Sequence, residues 1–225
     1  MNLDEIRKSL PARIILWGGT GQAKIVRPII EYYGSRVVAV FDDTPNLKAP
    51  FPDIPLYYFW EGFIAWVNNQ TDLADIGFCI AIGNPHGRVR LKLHEKLVGI
   101  GLQPATIIHP NAYVSPDVII ELGVQISAGV VVAPEVIIGR QCIINTKASV
   151  DHECILGDGV EIGPGATLCG SVHMHNNSWV AAGSTVLPRL TIGEDSIIGA
   201  GSVLTKDVPS KSIWFGVPAK FVRSV

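Results

Sequence analysis

Within a chain of 225 residues, Asp151-His152-Glu153 sets an imidazole between two carboxyl side chains. The unperturbed imidazole pKa, ~6.5, lies near working pH and suits the group to general-base work. Glu153 can accept from the proton-bearing ring nitrogen, fix the tautomer and stabilise the imidazolium formed when a proton is taken. Gly170 stands eighteen residues further on. With no side chain to intrude, its N–H can donate to an oxygen on which negative charge develops. A base and an oxyanion donor on one edge are what acyl transfer requires, provided that eighteen residues bring them together.

A repeat supplies that spacing. From Ile108, every sixth residue to Leu204 is aliphatic apart from Met174, an unbroken series of seventeen. A second row of mostly small residues, from Ala112 to Val208, follows each aliphatic by four. Neither the helical period of 3.6 nor alternation explains a six-residue beat. A β-helix does, with three short strands per coil and a turn at every sixth residue. Pro110, Pro116, Pro134, Pro164 and Pro188 fall two places after the aliphatic, while Gly139, Gly157, Gly163 and Gly199 fall one place after it. Both belong where a strand must bend. Adjacent coils would lie about 4.8 Å apart.

Residues eighteen apart then share a corner. One column reads Pro116, Pro134, His152, Gly170, Pro188 and Lys206, so the base and the bare amide fall on one outer edge. A second reads Pro110, Ala128, Thr146, Pro164, Ala182 and Ala200, and a third, more polar, reads Leu122, Arg140, Asp158, Asn176 and Glu194.

The stretch from Asn145 to Gly157, with its His-Glu-Cys segment, closely resembles the hexapeptide-repeat acetyltransferases of bacteria. These modify UDP- or dTDP-linked amino sugars, as in bacillosamine N-acetylation, or O-acetylate sialic-type sugars. The resemblance implies a left-handed β-helix, a hand that the general crossover rule would not have suggested. It also implies acetyl-CoA as co-substrate, no metal, and a homotrimer with the active site between protomers. Carried over residue by residue, His152 is the base and Glu153 its partner, Gly170 meets the thioester, and Asn145 lies near the sugar. Ala182 and Ala200 match positions along the pantetheine arm. Phe215-Gly-Val-Pro-Ala-Lys220 looks like the family's closing element near the CoA adenine, which places Pro218 and Lys220 there. Some members carry a further histidine nine residues after the base, where this chain has Glu161.

The positioning half comes first in the chain. Residues 1–106 read as a nucleotide-sugar-binding α/β domain with a small, Rossmann-like parallel sheet, and 107–225 as the β-helix with its CoA-binding tail. Arg13–Trp17 reads as a strand, Gln22–Tyr33 as a helix ended by Gly34 and kinked at Pro28, and Arg36–Phe41 as the next strand. Gly77–Ile82 and Arg88–Val98 read as a further strand and helix. Glycines opening a helix can cradle phosphate, but Gly19-x-Gly21 lacks the third glycine of the dinucleotide fingerprint, since Lys24 takes its place. With Asp42 and Asp43 as ribose partners, NAD binding stays open on this pattern alone. The resemblance assigns Gly19, Gly21, Asp42, Asp43, Gly83 and Asn84 to the nucleotide-sugar, although Gln22 replaces a usual histidine. Phe59, Trp60, Phe63 and Trp66 read as packing.

Composition narrows the rest. Net charge is −2, charged residues make up 17%, and no Lys/Arg cluster suits nucleic acid. No window approaches the roughly 18–20 apolar residues of a membrane span, and Met1–Leu10 lacks the apolar core of a signal peptide. Cys79, Cys142, Cys154 and Cys169 have no metal-site spacing and read as buried thiols, and the expected compartment is cytoplasmic. The main alternative is O-acetylation of a sialic-type sugar on the same scaffold. A hexapeptide-fold zinc enzyme would need three convergent imidazoles, and His173 and His175 are out of register with His152. A non-catalytic scaffold would have no use for the His152–Glu153 pair.

Overall fold

The computed structural model describes residues 10–83 and 85–225, and Asn84 lies outside them. Contacts divide the chain into two units, one running to Ile82 and resuming over Lys92–Ile107, the other made of Gly83–Leu91 and Ile108–Val225.

The first unit is a parallel sheet with helices. In chain order come β1 (Arg13–Trp17), α1 (Gly21–Tyr32), β2 (Arg36–Asp42), β3 (Leu56–Tyr58), α2 (Phe59–Val67), β4 (Ile76–Ile80), α3 (Gly87–Gly99, from Lys92 in this unit) and β5 (Gln103–Pro104). All pairs are parallel, in the order β3-β2-β1-β4-β5. Successive residues of β1 serve two cores. Ile14 and Leu16 pack with Ala23, Val26 and Ile30, while Ile15 and Trp17 pack with Phe41, Phe63, Phe78 and Leu97. A strand buried on both faces reads as a continuous apolar run, and Ile14-Ile-Leu-Trp17 is one. α1 continues through Pro28, where the sequence had suggested a kink. β3 and α2 were not legible in the sequence. Phe63 is fully buried, Trp60 and Trp66 pack against that core, and Phe59 instead is exposed.

The second unit is a three-sided parallel β-helix. Seventeen two-residue strands run from Ile107–Ile108 to Val203–Leu204 and pair at eighteen-residue register, as Val131 with Ser149 and Ile137 with Ile155. The aliphatic row fills the interior, every member buried except the half-exposed Ile120, and the small row is buried except Val118 and Leu190. Serines in that row are satisfied inside, Ser184 Oγ donating to Gly199 O at 2.8 Å and Ser196 Oγ to Pro209 O at 2.7 Å.

Turn geometry repeats as strictly as the core. From Gly123 to Gly201, every sixth residue has positive φ, at Gly, Asn, Gln, Ser or charged residues. A two-residue corner with φ > 0 at its second position is the type II solution. Non-glycine residues such as Glu153 pay about 1–2 kcal/mol for that conformation, offset by the coil-to-coil ladder. The glycines one place after the aliphatic have a different cause: a Cβ on Gly163 would lie 2.5 Å from the Ala182 nitrogen.

One face of the prism is covered by Gly83–Leu91. Arg90, fully buried, donates to Gln141 O (2.9 Å), Gly159 O (2.8 Å) and Glu161 Oε2 (3.3 Å). Glu161 Oε1 in turn accepts from Asn145 Nδ2 at 3.0 Å. The other two faces carry exposed apolar residues, Tyr113 and Val131 on one, Ile119, Ile137 and Ile155 on the other. A hairpin, Ser212–Gly216 with Ala219–Ser224, closes the end.

Candidate active site

His152 occupies the corner between strands Ser149–Val150 and Ile155–Leu156. Its backbone N–H is held by Asp151 Oδ1 at 2.9 Å. Its Nδ1 meets Glu153 Oε2 at 2.8 Å. Since a carboxylate can only accept, Nδ1 carries a proton, and in the neutral imidazole Nε2 is the nitrogen left with a lone pair. Oε2 also accepts from Ser171 Oγ at 3.3 Å. Hydrogen bonding from His152, and secondarily from Ser171, holds the Glu153 carboxyl below its ordinary range, so it stays ionised beside the ring.

Gly170 lies directly against the imidazole, and a Cβ there would fall 2.5 Å from His152 Nε2. Any side chain would displace the ring. The Gly170 carbonyl accepts from the Arg189 amide at 3.0 Å, but among the described residues nothing accepts from its N–H. The third corner shows why that matters. There two corner amides are capped by the next coil's side chain, Arg140 N donating to Asp158 Oδ1 (2.8 Å) and Asp158 N to Asn176 Oδ1 (2.9 Å). In the column of His152 the residue above Gly170 is Pro188, whose side chain has no acceptor to offer. An uncapped donor therefore stands beside Nε2, the ring nitrogen that Glu153 does not hold. A shallow groove of about 190 Å³ lies on the adjoining face, with Ser149, Asp151, Thr167 and Cys169 in its lining.

The remaining predicted residues are distributed as follows. Ala182 and Ala200 are exposed on the neighbouring corner, and that corner and the one holding His152 flank the same face. Pro218 and Lys220 are exposed in the terminal hairpin, around the buried Ala219. Asn145 is buried against Glu161 and is not brought to His152 within the chain; a Cβ on Gly83 would lie 3.8 Å from the same Glu161 carboxylate. Gly83, Asn145 and Glu161 thus form a second cluster. Arg90, which organises it, was missed in the sequence, because no local pattern links it to a carboxylate 71 residues away.

In the first unit the Gly19 amide donates to Asp42 Oδ2 at 2.6 Å, and Asp42 Oδ1 accepts from Thr44 N at 2.8 Å. Asp42 therefore closes the glycine turn and occupies an amide that a phosphate cradle would use. Gly21 opens α1 onto free space. Asp43 is exposed, its carboxyl raised by partial desolvation and by the adjacent Asp42. Among the described residues no group of three His, Cys, Asp or Glu is placed to hold a metal, and no helix is long and apolar enough to cross a membrane. His173 and His175 stack at 4.5 Å on the face beyond.

Two family models match this chain, the PglD N-terminal domain over residues 13–97 and the bacterial transferase hexapeptide over 135–170 and 171–206. A solved histidine-to-alanine mutant of GDP-perosamine N-acetyl transferase from Caulobacter crescentus, in complex with CoA and GDP-perosamine, is 32% identical. The alignment covers 94% of this chain and 97% of that one, with a TM-score of 0.84. The chain belongs to the hexapeptide-repeat sugar acetyltransferases. Membership gives the prism the left hand of that family. The acetyltransferase domain of PglB from Neisseria gonorrhoeae, in complex with acetyl coenzyme A, is 26% identical over 94% of this chain and 99% of its own, with a TM-score of 0.82. Among curated proteins, a putative acetyltransferase from Schizosaccharomyces pombe is 36% identical over 31% of this chain and 42% of its own length. The chain spans less than half the length of such curated relatives.

Proposed function

We propose that this acetyltransferase moves an acetyl group from acetyl-CoA to the amine of a nucleotide-linked amino sugar in the synthesis of bacterial surface glycans. The observation that carries the reading is the placement of His152 Nε2 against the uncapped Gly170 amide.

His152 receives the proton of the acceptor amine at Nε2 as the amine nitrogen bonds to the thioester carbonyl carbon. Glu153 holds the opposite N–H and balances the imidazolium charge. The Gly170 amide donates to the carbonyl oxygen while it carries negative charge. When the C–S bond breaks, His152 returns its proton to the departing sulfur, giving an N-acetyl sugar and free CoA thiol. Base and donor together are worth several powers of ten, since general-base catalysis contributes roughly 10²–10⁴-fold and one oxyanion donor about 10²–10³-fold. The route needs no metal and no covalent enzyme intermediate.

Binding is shared out along the chain. The pantetheine arm runs past Ala182 and Ala200, with Pro218 and Lys220 at the adenine end. Gly19, Gly21, Asp42, Asp43, Gly83, Asn84 and Asn145 serve the nucleotide-sugar. The working form is a cytoplasmic homotrimer with the site between protomers, a reading supported by the exposed apolar residues on two faces of the prism. Residues 1–106 act as the nucleotide-sugar domain and 107–225 as the transferase domain.

Incubation with acetyl-CoA and a panel of acceptors tests this by mass spectrometry. UDP-, dTDP- and GDP-linked amino sugars are set against the corresponding hydroxy sugars and sialic-type sugars. A gain of about 42 Da, an acetyl group in place of a hydrogen, is expected for the amino acceptors alone. Acetylation of the sialic-type hydroxyl alone would replace the reading with O-acetylation.

A further inference from the structure

Glu153 does not hold the imidazole from a rigid position. Its side chain and that of His152 are each 55% exposed. An exposed glutamate gives up rotamer freedom whenever it is held, so a single hydrogen bond leaves it turned away for part of the time. The coil above supplies a second tether. Ser171 stacks on Glu153 at eighteen-residue register, with its hydroxyl 3.3 Å from Oε2, the same oxygen that accepts from His152 Nδ1. The Ser171 amide donates to the carbonyl of His152 at 2.8 Å, and its backbone is fixed at φ 59° in the turn. The hydroxyl is therefore placed by the ladder of coils.

The same column continues to Glu135 below and Arg189 above. Around Glu153, then, Glu135 and Asp151 are of like charge, while Ser171 and His152 donate to it. Arg189 contributes attraction from above. Without Ser171, the two like charges favour a rotamer directed away from the ring.

We propose that Ser171 is a positioning residue, anchoring Glu153 Oε2 so that the His152 N–H always faces a carboxylate and Nε2 stays bare toward the Gly170 amide. This rests on His152 acting as the base. Ser171 touches no reacting atom; it acts through Glu153.

A double-mutant cycle in the full chain, with acetyl-CoA and the best acceptor, tests it. Ser171→Ala should lower kcat about 3–10-fold, with KM for acetyl-CoA within about 2-fold, and move the acid limb of the rate profile to lower pH. In a Glu153→Ala background the same change should cost less than about 2-fold, because the path is already cut. Ser171→Asn should recover most of the rate, since asparagine accepts positive φ and its amide can donate to Oε2. Circular dichroism confirms that the variants are folded. The same loss in both backgrounds, or an alkaline shift of the limb, would overturn the proposal. So would a normal Ser171→Ala enzyme alongside an inactive His152→Ala. A fully active His152→Ala would overturn the base reading itself, and this proposal with it.

Discussion

The imidazole of His152 fills the space that Gly170 leaves by having no side chain, so that a Cβ on Gly170 would fall 2.5 Å from Nε2. The two residues are eighteen apart in the chain and one coil apart in space. That contact places the base and the uncapped amide on one edge.

Gly170→Ala should therefore leave the β-helix folded and disable it. The added methyl must push the imidazole off Glu153, and both the base and the oxyanion approach are lost. A fall in kcat of at least ~10²-fold is expected, the scale of losing one donor or the base. Thermal unfolding within a few degrees of wild type would separate this from collapse of the fold.

Glu153 should stay charged wherever the enzyme works. Its carboxyl is held below the ordinary range by His152 and then Ser171. A depressed carboxyl contributes above its ordinary pKa and is lost only as pH falls through the lowered value. The acid limb of kcat/KM should thus follow a single proton. Glu153→Gln, which removes the opposing charge, should move that limb to lower pH and cut the plateau about 10-fold. A two-proton limb would show Glu153 titrating with the ring.

Burial raises the thiols of Cys79 and Cys142 to about 12. A raised acid favours the fold's neutral form: stability is unaffected below the ordinary thiol range, about 8.5. It then falls as pH climbs from there toward the raised values, because the unfolded chain ionises first. Urea midpoints should be flat from neutral pH to the ordinary thiol range and decline beyond it. Replacing both cysteines with alanine should lessen the decline, leaving the part due to Cys154, whose thiol burial raises to about 11.

Arg90 is a buried cation that donates to the Glu161 carboxylate and to the carbonyls of Gln141 and Gly159. Arg90→Ala takes the neutralising cation away from the buried Glu161 carboxylate, leaving it the neutral bond from Asn145 Nδ2, and should destabilise by about 3–5 kcal/mol, read as a lower urea midpoint. Arg90→Met with Glu161→Gln should recover much of that. Equal losses in single and double variants would mean that the carbonyl contacts dominate.

The repeat was legible because each coil repeats its own instructions: an aliphatic inward, a small residue four places on, and a turn former at the corner. Counting in eighteens sufficed to put Gly170 over His152. The same count sets Ser171 over Glu153 but not which atoms of the two side chains meet, and it says nothing of Arg90, which lies outside the repeat. Asn145 shows the same limit, since matching it to a sugar contact could not reveal its bond to Glu161. In the first unit, β3 and α2 were missed because Leu56 to Val67 is aromatic on nearly every side and has no clear period. Asp42, read as a nucleotide partner, is also the buried cap of the Gly19 turn, a contact that its spacing from the glycines could not reveal.

The most direct measurement is turnover of His152→Ala with acetyl-CoA and a nucleotide-linked amino sugar, alongside binding of both substrates. Loss of the general base should lower kcat at least ~10²-fold while both dissociation constants stay within about 3-fold of wild type. A near-normal kcat would contradict the account, because the edge shared with Gly170 would then hold no base.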